Sequence, residues 1–271
     1  MYLGVDIGGT KTLIAKFDDN GQLLDKEKFP TPQQYSEFKG LVTSCLSDMK
    51  ISDLKAAAVA VPAVRIDRSA GIAMSYANLS WRNNNIPKDL EEILHCPVEM
   101  ENDAKLAGLS EADLIKDHYS KVMYLTVSTG IGYSLIVNGK IDVSAGDSGG
   151  RLILLPKDGQ LKPWESFASG KSIVEKYGKM AKDIEDEATW DSITKDIAEG
   201  LIELIAIFQP QIVVIGGSVG EYFSRYGHLL KKHIDDYNLP FITMPEIRGA
   251  INPNEAVVYG CFLLASGHGR A

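Results

Sequence analysis

Apolar and polar positions follow the same order in two separate stretches of the chain. Residues 2–15 read YLGVDIGGTKTLIA and residues 124–137 read YLTVSTGIGYSLIV. Each stretch is an apolar run, a turn rich in Gly, Thr or Ser, and a second apolar run, which is typical of a β-hairpin with a polar tip. Residue 2 aligns with residue 124, an offset of 122. The repeat therefore predicts a duplicated domain whose two hairpin tips face each other across a cleft.

Strands and helices alternate along the rest of the chain, with loop-rich stretches at 64–77 and 143–170. This alternation predicts the α/β class. We expect a first domain at 1–104, a second at 105–253, and a closing helix at about 254–271 that returns to the first. The predicted strands are Lys55–Pro62, Val98–Met100, Gln211–Gly217 and Pro245–Ile247, and the predicted helices are Tyr35–Ser47, Ile86–Leu94, 104 to about 114, 171–208, Glu221–Tyr237 and Asn254–Ser266.

Charge and cysteine content limit the function classes. The 271 residues carry a net charge of −8, which argues against nucleic acid or an anionic membrane as the main partner. No apolar run reaches the length of a membrane span, and the N-terminus leads directly into a strand, so we expect no signal peptide and a cytoplasmic location. The three cysteines are far apart in apolar surroundings, which favours reduced core residues over a disulfide or a zinc site.

The first glycine-rich turn follows an acidic residue at the end of a buried strand. Glycines in the turn allow backbone N–H groups to approach an anion, and the threonine hydroxyls add donors. A carboxylate beside such a loop, here Asp6, can hold Mg²⁺ directly or through water. The alternative is a plain hairpin turn, with Lys11 only solvated.

Two further strand ends carry candidate chemistry. Glu101-Asn102-Asp103 follows a strand, where open α/β sheets place their ligands, and a carboxylate there can take a proton from a sugar hydroxyl. The alternative is a helix N-cap. The second strand end, Gly216-Gly217, allows an adenosine to lie against the backbone, or else allows a helix to pack tightly on a strand.

The motifs occur in an order that resembles the ROK family of sugar kinases and repressors. They are Asp-x-Gly-Gly-Thr-Lys-Thr, Val-Pro-Ala, Asn-Leu-x-Trp, Glu-Asn-Asp-Ala, Ser-Thr-Gly-Ile-Gly, Trp-Glu-x-x-Ala-Ser-Gly and Pro-x-Ile-Val-Val-Ile-Gly-Gly, and they span nearly the whole chain. The resemblance implies two ribonuclease-H-like domains of the actin-like ATPase fold. It also implies ATP-dependent phosphorylation of a hexose or amino sugar, and members of the family often form homodimers.

The resemblance also assigns roles to individual residues. It makes Asp103 the catalytic base and Asp6 the residue that serves Mg²⁺. The implied sugar contacts are Asn78, Asn102, Asp147 and Glu165. The implied phosphate contacts are Gly8, Gly9, Thr10, Lys11, Thr12, Thr129, Gly130 and Gly132, and the residues that flank the adenosine are Gly216 and Gly217.

The chain departs from the family pattern at several positions. Asp147 stands where the family has a glutamate, Gly150 where it has a histidine, and Ser128 where the second phosphate loop usually begins with glycine. The cysteine cluster of the family's zinc site is absent, so we expect no structural zinc. The first strand begins at the N-terminus, so we expect no helix-turn-helix leader. If only these contacts are missing, changing Asp147 to Glu and Gly150 to His should improve the use of glucose.

These observations predict a kinase that transfers a phosphoryl group from ATP to a sugar hydroxyl, most simply the 6-hydroxyl of a hexose. Positioning and charge neutralisation dominate such chemistry. Two alternatives stay open: a glucokinase that uses inorganic polyphosphate, and a catalytically weak member that binds or senses sugar. The acidic charge and the missing leader disfavour a DNA-binding repressor.

Overall fold

The structure, a computed structural model, describes residues 1–51, 53–76, 79–147, 149–237 and 239–269. Strands and helices alternate within them, which confirms the predicted α/β class. The strands are β1 Tyr2–Ile7, β2 Lys11–Phe17, β3 Leu23–Pro30, β4 Ala56–Val61, β5 Ala63–Asp67, β6 Ile72–Tyr76, β7 Val98–Asn102, β8 Lys121–Val127, β9 Ile131–Val137, β10 Lys140–Ile141, β11 Leu154–Lys157, β12 Gln160–Pro163, β13 Ile212–Gly216 and β14 Glu246–Gly249. The helices are α1 Tyr35–Asp48, α2 Ile86–Leu94, α3 Asp103–Asp113, α4 Glu165–Ala168, α5 Gly170–Tyr177, α6 Glu187–Phe208, α7 Gly217–Gly220, α8 Phe223–Asp236 and α9 Ala256–Ala265.

The chain divides into two compact units. The first comprises Met1–Ser110, Gly139–Ile141 and Glu255–Ala271, and the second comprises Glu111–Asn138 and Asp142–Asn254. The C-terminal helix α9 therefore belongs to the first unit, although the whole of the second unit precedes it in the sequence.

The sheet of the first unit has the strand order β3-β2-β1-β4-β7. Strands β1 and β2 form an antiparallel hairpin, whereas β1, β4 and β7 are parallel, so their carboxyl ends lie at one edge of the sheet. Helix α1 buries Phe38 and Val42 in a core that includes alternate residues of β1. Helix α9 packs Val258 and Phe262 against Phe17 of β2 in a separate cluster. Both faces of the sheet are thus covered.

The second large sheet has the order β10-β9-β8-β13-β14, and β8, β13 and β14 are parallel. Alternate residues of β8 point into one core, where Leu125 and Val127 are fully buried. Helix α6 supplies Ile197 and Leu201 to the same core. Every second residue of the strand is buried in this core, and the helix buries a wide apolar face in it. These are the patterns expected of elements that bury one side.

The two large sheets share one topology. In each, an antiparallel hairpin is followed by two strands parallel to its first strand, which confirms the predicted duplication. The alignment differs from the offset of 122, however. The last pair of the first hairpin is Ile7 with Thr12, and that of the second is Val127 with Ile131. The second tip is one residue shorter. Ile7 corresponds to Val127 and Thr12 to Ile131, which are offsets of 120 and 119, so the offset of 122 misaligns the strands as well as the tips.

Three short or polar elements have no counterpart among the predicted ones. Strand β3 reads LLDKEKFP and is largely exposed at the edge of its sheet, where charged residues protect against edge-to-edge pairing. The hairpin β5–β6 lies in the predicted polar loop and has register irregularities that obscure any alternation. The hairpin β11–β12 lies in the loop-rich stretch and exposes Leu161. Buried and exposed residues alternate only weakly in all three, so the order of apolar and polar residues in the sequence does not indicate a strand there.

Gly200, in the middle of α6, provides a stability test because the indole of Trp164 lies directly against it. A β-carbon at Gly200 would lie 2.2 Å from that ring, whereas one at Gly40 in α1 would have nothing within 4 Å. Alanine is the better helix former, so we expect Gly40→Ala to raise the free energy of unfolding by about 0.5–1 kcal/mol. We expect Gly200→Ala to lower it by about 1–3 kcal/mol through overpacking. Urea denaturation of both variants measures this, and equal gains would contradict the packing argument.

Candidate active site

Both backbone polar groups of Gly8 form hydrogen bonds that close the tip of the first hairpin. The N–H of Gly8 donates to the carbonyl of Lys11 over 3.0 Å, and a β-carbon at Gly8 would lie 2.7 Å from that same oxygen. The hydroxyl of Thr31 donates to the carbonyl of Gly8 over 2.8 Å and lies 2.9 Å from the hydroxyl of Thr12. The sequence analysis missed Thr31, which follows the unpredicted strand β3. Its hydrogen bonds help to hold this loop in place.

Burial separates the predicted phosphate contacts of this loop into two groups. Thr12 is fully buried and its hydroxyl meets that of Thr31, so its side chain supports the loop from beneath. Thr10 and Lys11 are exposed and Gly9 is partly exposed, so their polar groups are open to a ligand. A valine at position 8 would strike the loop itself, so such a variant would not isolate a phosphate contact.

Two carboxyl groups of the first unit influence each other. Asp6 precedes the last residue of β1, and Asp103 begins α3 immediately after β7. Burial, and then the charge of Asp103, raise the pKa of Asp6 to about 7, against a smaller opposing effect of Lys28. Burial raises the pKa of Asp103 to about 6, although the N–H of Ala104, 2.8 Å from its Oδ1, works in the other direction. Both groups therefore titrate near neutral pH.

Asn102 caps the helix that Asp103 begins. Its Oδ1 accepts from the N–H groups of Ala104 and Lys105 over 3.0 and 3.3 Å, and its Nδ2 donates to the carbonyl of Ala63 over 3.2 Å. The cap alternative thus describes what Asn102 does within the unit. Its contact with a sugar stays a prediction.

The acidic pair fits the coordination preferences of Mg²⁺. Magnesium is commonly held by one or two carboxylates together with phosphate oxygens and water. Asp6 and Asp103 are hard oxygen donors, and their raised pKa values show that their negative charge is poorly compensated within the unit. A cation beside Asp6 would relieve that cost.

The carboxylate of Glu165, the first residue of α4, lies against the tip of the second hairpin. The N–H of Ser128 donates to the carbonyl of Gly130 over 2.9 Å and closes the turn. Glu165 places Oε2 3.3 Å from the N–H of Ile131, and Arg151 donates through Nε to the other carboxylate oxygen over 3.0 Å. A β-carbon at Gly130 would lie 2.7 Å from Glu165 Oε2. Gly130 therefore makes room for Glu165, whatever ligand the turn accepts.

The segment that departs from the family pattern packs directly against β9. A β-carbon at Gly149 would lie 2.3 Å from the carbonyl oxygen of Ile131, and one at Gly150 would lie 2.8 Å from the β-carbon of Ile131 and 3.2 Å from the ring of Trp164. A side chain at position 150 would require Ile131 to shift. The expectation that Asp147→Glu together with Gly150→His would improve the use of glucose stays a prediction.

Three further predicted contacts remain: Asp147 and Asn78 for the sugar, and Gly132 for phosphate. Asp147 is partly buried, and its charge contributes, after burial, to the raised pKa of Tyr133. Asn78 lies outside the described residues. Gly132 lies against Gly149, whose β-carbon would be 3.0 Å from the Cα of Gly132. No contact among these residues tests their predicted roles.

A cavity of about 530 Å³ lies within the second unit, beside the turn of the second hairpin. Thr129 lines it, whereas the predicted adenosine residues do not. A β-carbon at Gly216 would lie 2.1 Å from the hydroxyl of Tyr124, and Gly217 has a φ of +80°, so packing and backbone conformation require both glycines. Ser218, the next residue, does line the cavity. The other lining residues are Ser128, Gly170, Lys171, Val174, Glu175, Met180, Ala181, Lys182, Val219, Glu221 and Tyr222.

The ROK family description matches residues 2–268. The chain belongs to the ROK family. It is 26% identical to a glucokinase of Halalkalibacterium halodurans, over 96% of this chain and 93% of that protein. It is 30% identical to an N-acetylmannosamine kinase of Escherichia coli O127:H6, over 80% of this chain and 83% of that protein.

The fold matches that of a ROK glucokinase from Streptomyces griseus, solved with glucose and AMPPNP. The TM-score is 0.83 at 21% identity, and the match covers 97% of this chain and 98% of that chain. Family membership, together with sugar kinases among the relatives, confirms the predicted enzyme class: this ROK protein is a carbohydrate kinase.

The residues that the structure describes bear on two further expectations, those of zinc and of location. These residues contain no group of three or more His, Cys, Asp or Glu side chains placed to hold a metal ion. They also contain no helix of the length and apolar character needed to cross a membrane. The expectations of no structural zinc and of a cytoplasmic location stay predictions.

The carboxyl pair makes a prediction that does not depend on catalysis. In carbon NMR titrations we expect Asp103 and Asp6 to titrate near pH 6 and 7, above the ordinary value of 3.8. Because both groups bind protons more tightly in the folded chain, they lower the free energy of unfolding as the pH rises from about 4 to about 7. Asp103→Asn should flatten that decline. Midpoints near the ordinary value for both groups would show that burial does not control them.

Proposed function

We propose that this kinase transfers the γ-phosphoryl group of ATP to a hydroxyl, most simply the 6-hydroxyl, of a hexose or an acetylated amino sugar. The observation that carries the proposal is the carboxyl group of Asp103, whose pKa of about 6 suits a general base at neutral pH. It projects from the junction of β7 and α3, at the carboxyl edge of a parallel sheet, where α/β proteins bind their ligands.

The cavity of the second unit supports a nucleotide as the donor. Its wall combines apolar side chains, among them Val174, Met180 and Val219, with the backbone turn at Ser128 and Thr129. An adenine ring gains from apolar burial, whereas a chain of phosphates gains only from cations and N–H groups. The cavity thus favours ATP over inorganic polyphosphate, which remains the alternative donor.

Magnesium completes the proposed reaction. Asp6 would hold it, and Asp103 is the neighbouring carboxyl whose charge raises the pKa of Asp6. When bound, the ion neutralises charge on the transferring phosphates. The exposed backbone at Gly9 and Thr10 and the amine of Lys11 add donors and charge to the same task.

The identity of the sugar rests on the second unit and on the relatives. Glu165 is the best-defined of the proposed sugar contacts in that unit, and it is already held by Arg151 and the N–H of Ile131. We propose Asn102, Asp147 and Asn78 as further contacts. The relatives include a glucokinase and an N-acetylmannosamine kinase, so hexoses and acetylated amino sugars are the first substrates to test. A catalytically weak sugar-binding role is the competing function, favoured by the lack of a histidine at Gly150.

Replacing the base should abolish most of the activity. Asp103→Asn keeps the size of the side chain but cannot accept a proton, so we expect kcat to fall by about 10²–10⁴-fold with sugar affinity nearly unchanged. The measurement is release of ADP in the presence of a panel of hexoses and amino sugars.

The control is Asp113→Asn at the other end of the same helix, where, among the described residues, the carboxylate forms an ion pair with Lys116 over 3.0 Å. This control should retain wild-type turnover. If Asp103→Asn did the same, Asp103 would not be the base. If the wild type bound sugars without turnover, the sensing alternative would replace the kinase.

A negative charge introduced into the cavity should show whether ATP or inorganic polyphosphate is the phosphoryl donor. Val174 lines the cavity and is 41% exposed, and Val143 is 48% exposed outside it. We expect Val174→Asp to weaken binding of a non-hydrolysable ATP analogue by about tenfold or more, because a carboxylate repels the phosphates and does not suit the apolar wall. Calorimetry measures the affinity, and Val143→Asp should leave it unchanged. Unaltered ATP binding in Val174→Asp, with polyphosphate supporting turnover, would favour the alternative donor.

A further inference from the structure

A forked ion pair joins the β5–β6 hairpin to the end of β7. Arg68 donates through Nε to Oε2 of Glu101 over 2.8 Å and through Nη2 to Oε1 over 2.5 Å. The side chain of Glu101 is only 7% exposed, and that of Arg68 is 31% exposed. Such bidentate pairs fix geometry as well as charge. Arg68 lies in the stretch 64–77, which was predicted to be a polar loop without a functional role.

Glu101 also fixes the backbone just before the proposed base. Its Oε1 accepts from the N–H of Asn102 over 2.7 Å, and Asn102 in turn donates to the carbonyl of Ala63 over 3.2 Å. Asn102 also caps α3, the helix that begins at Asp103. Two tethers from the stretch after β4, one at Ala63 and one at Arg68, therefore hold the junction of β7 and α3.

We propose that Arg68 is a positioning residue for the general base. By holding the carboxylate of Glu101, it keeps the N–H of Asn102 bonded and so keeps Asp103 aimed at the sugar hydroxyl. Arg68 acts through Glu101. The inference rests on the proposed function, because it assumes that Asp103 is the base.

The physical reason lies in the cost of an unpaired buried carboxylate. Without Arg68, Glu101 either takes up a proton or turns towards water, and in both cases the acceptor for Asn102 weakens. A glutamine at position 101 offers an uncharged oxygen to the same N–H and needs no counter-charge. Glu101→Gln should therefore compensate for the loss of Arg68, which it could not do if Arg68 acted directly on the substrate.

The experiment compares Arg68→Met, Glu101→Gln and the double variant in the sugar kinase assay. We expect Arg68→Met to lower kcat by about 10–100-fold, as small misplacements of catalytic groups do, with the KM values for sugar and ATP nearly unchanged. We expect Glu101→Gln alone to cost little and the double variant to recover most of the loss. Arg82→Met is the matched control, because the bonds of Arg82 within the described part of the chain go to the backbone carbonyls of Leu79 and Trp81.

Three outcomes would overturn the inference: an unchanged kcat in Arg68→Met, a rise in the KM for sugar as the main effect, or no recovery in the double variant. If Arg68→Met does not fold, Arg68→Lys tests the same point. Lysine keeps the charge and loses the fork, and kcat should then fall by less and again recover with Glu101→Gln.

Hydrogen exchange separates this inference from the proposed function. The amide of Asn102 should exchange faster in Arg68→Met and return towards the wild-type rate in the double variant, while Arg82→Met leaves it unchanged. This readout needs no activity. A wild type without turnover on any sugar would refute the proposed function alone, whereas an unaltered Asn102 amide in Arg68→Met would refute the role of Arg68.

Discussion

The burial of two carboxyl groups at one edge of a parallel sheet is the constraint on which the first unit depends. Strands β1 and β7 flank β4 in parallel, so Asp6 and Asp103 emerge at the same edge. Burial raises the pKa of both, and the charge of Asp103 adds to the effect on Asp6. Such an arrangement is costly in a folded protein unless a cation or a proton relieves it. The cost is consistent with a site selected for chemistry rather than for stability.

Side chains outside the recognised motifs support this edge. Thr31 holds the carbonyl of Gly8 at the first hairpin tip, and Arg68 holds Glu101 beside the proposed base. Both come from segments that look like ordinary polar surface in the sequence. For the proposed base and the proposed phosphate loop their contribution is geometric, because general-base catalysis and phosphate binding both depend on fixed orientation.

Glycines that a ligand-binding motif would need are also needed for packing within the unit. Gly130 leaves space for the carboxylate of Glu165, Gly150 for Ile131, and Gly216 for the hydroxyl of Tyr124. Close packing within the unit already disfavours a larger side chain at each position. A glycine in such a motif is therefore not by itself a sign of contact with a ligand, and the proposed donor site rests instead on the cavity beside Thr129.

Apolar periodicity and motif order survive in the linear chain, so the α/β class, the duplication, the family and most of the long elements could be predicted from it. The helix Ile86–Leu94 was predicted at its observed bounds, and α1 to within one residue. Tertiary structure alone decided which polar groups meet. Arg68 and Glu101 are 33 residues apart, and Thr12 and Thr31 are 19 apart. Periodicity reports which face of an element is buried and carries no information on such distant pairings. The structure was therefore needed to find the side chains that contact Glu101 and the first hairpin tip.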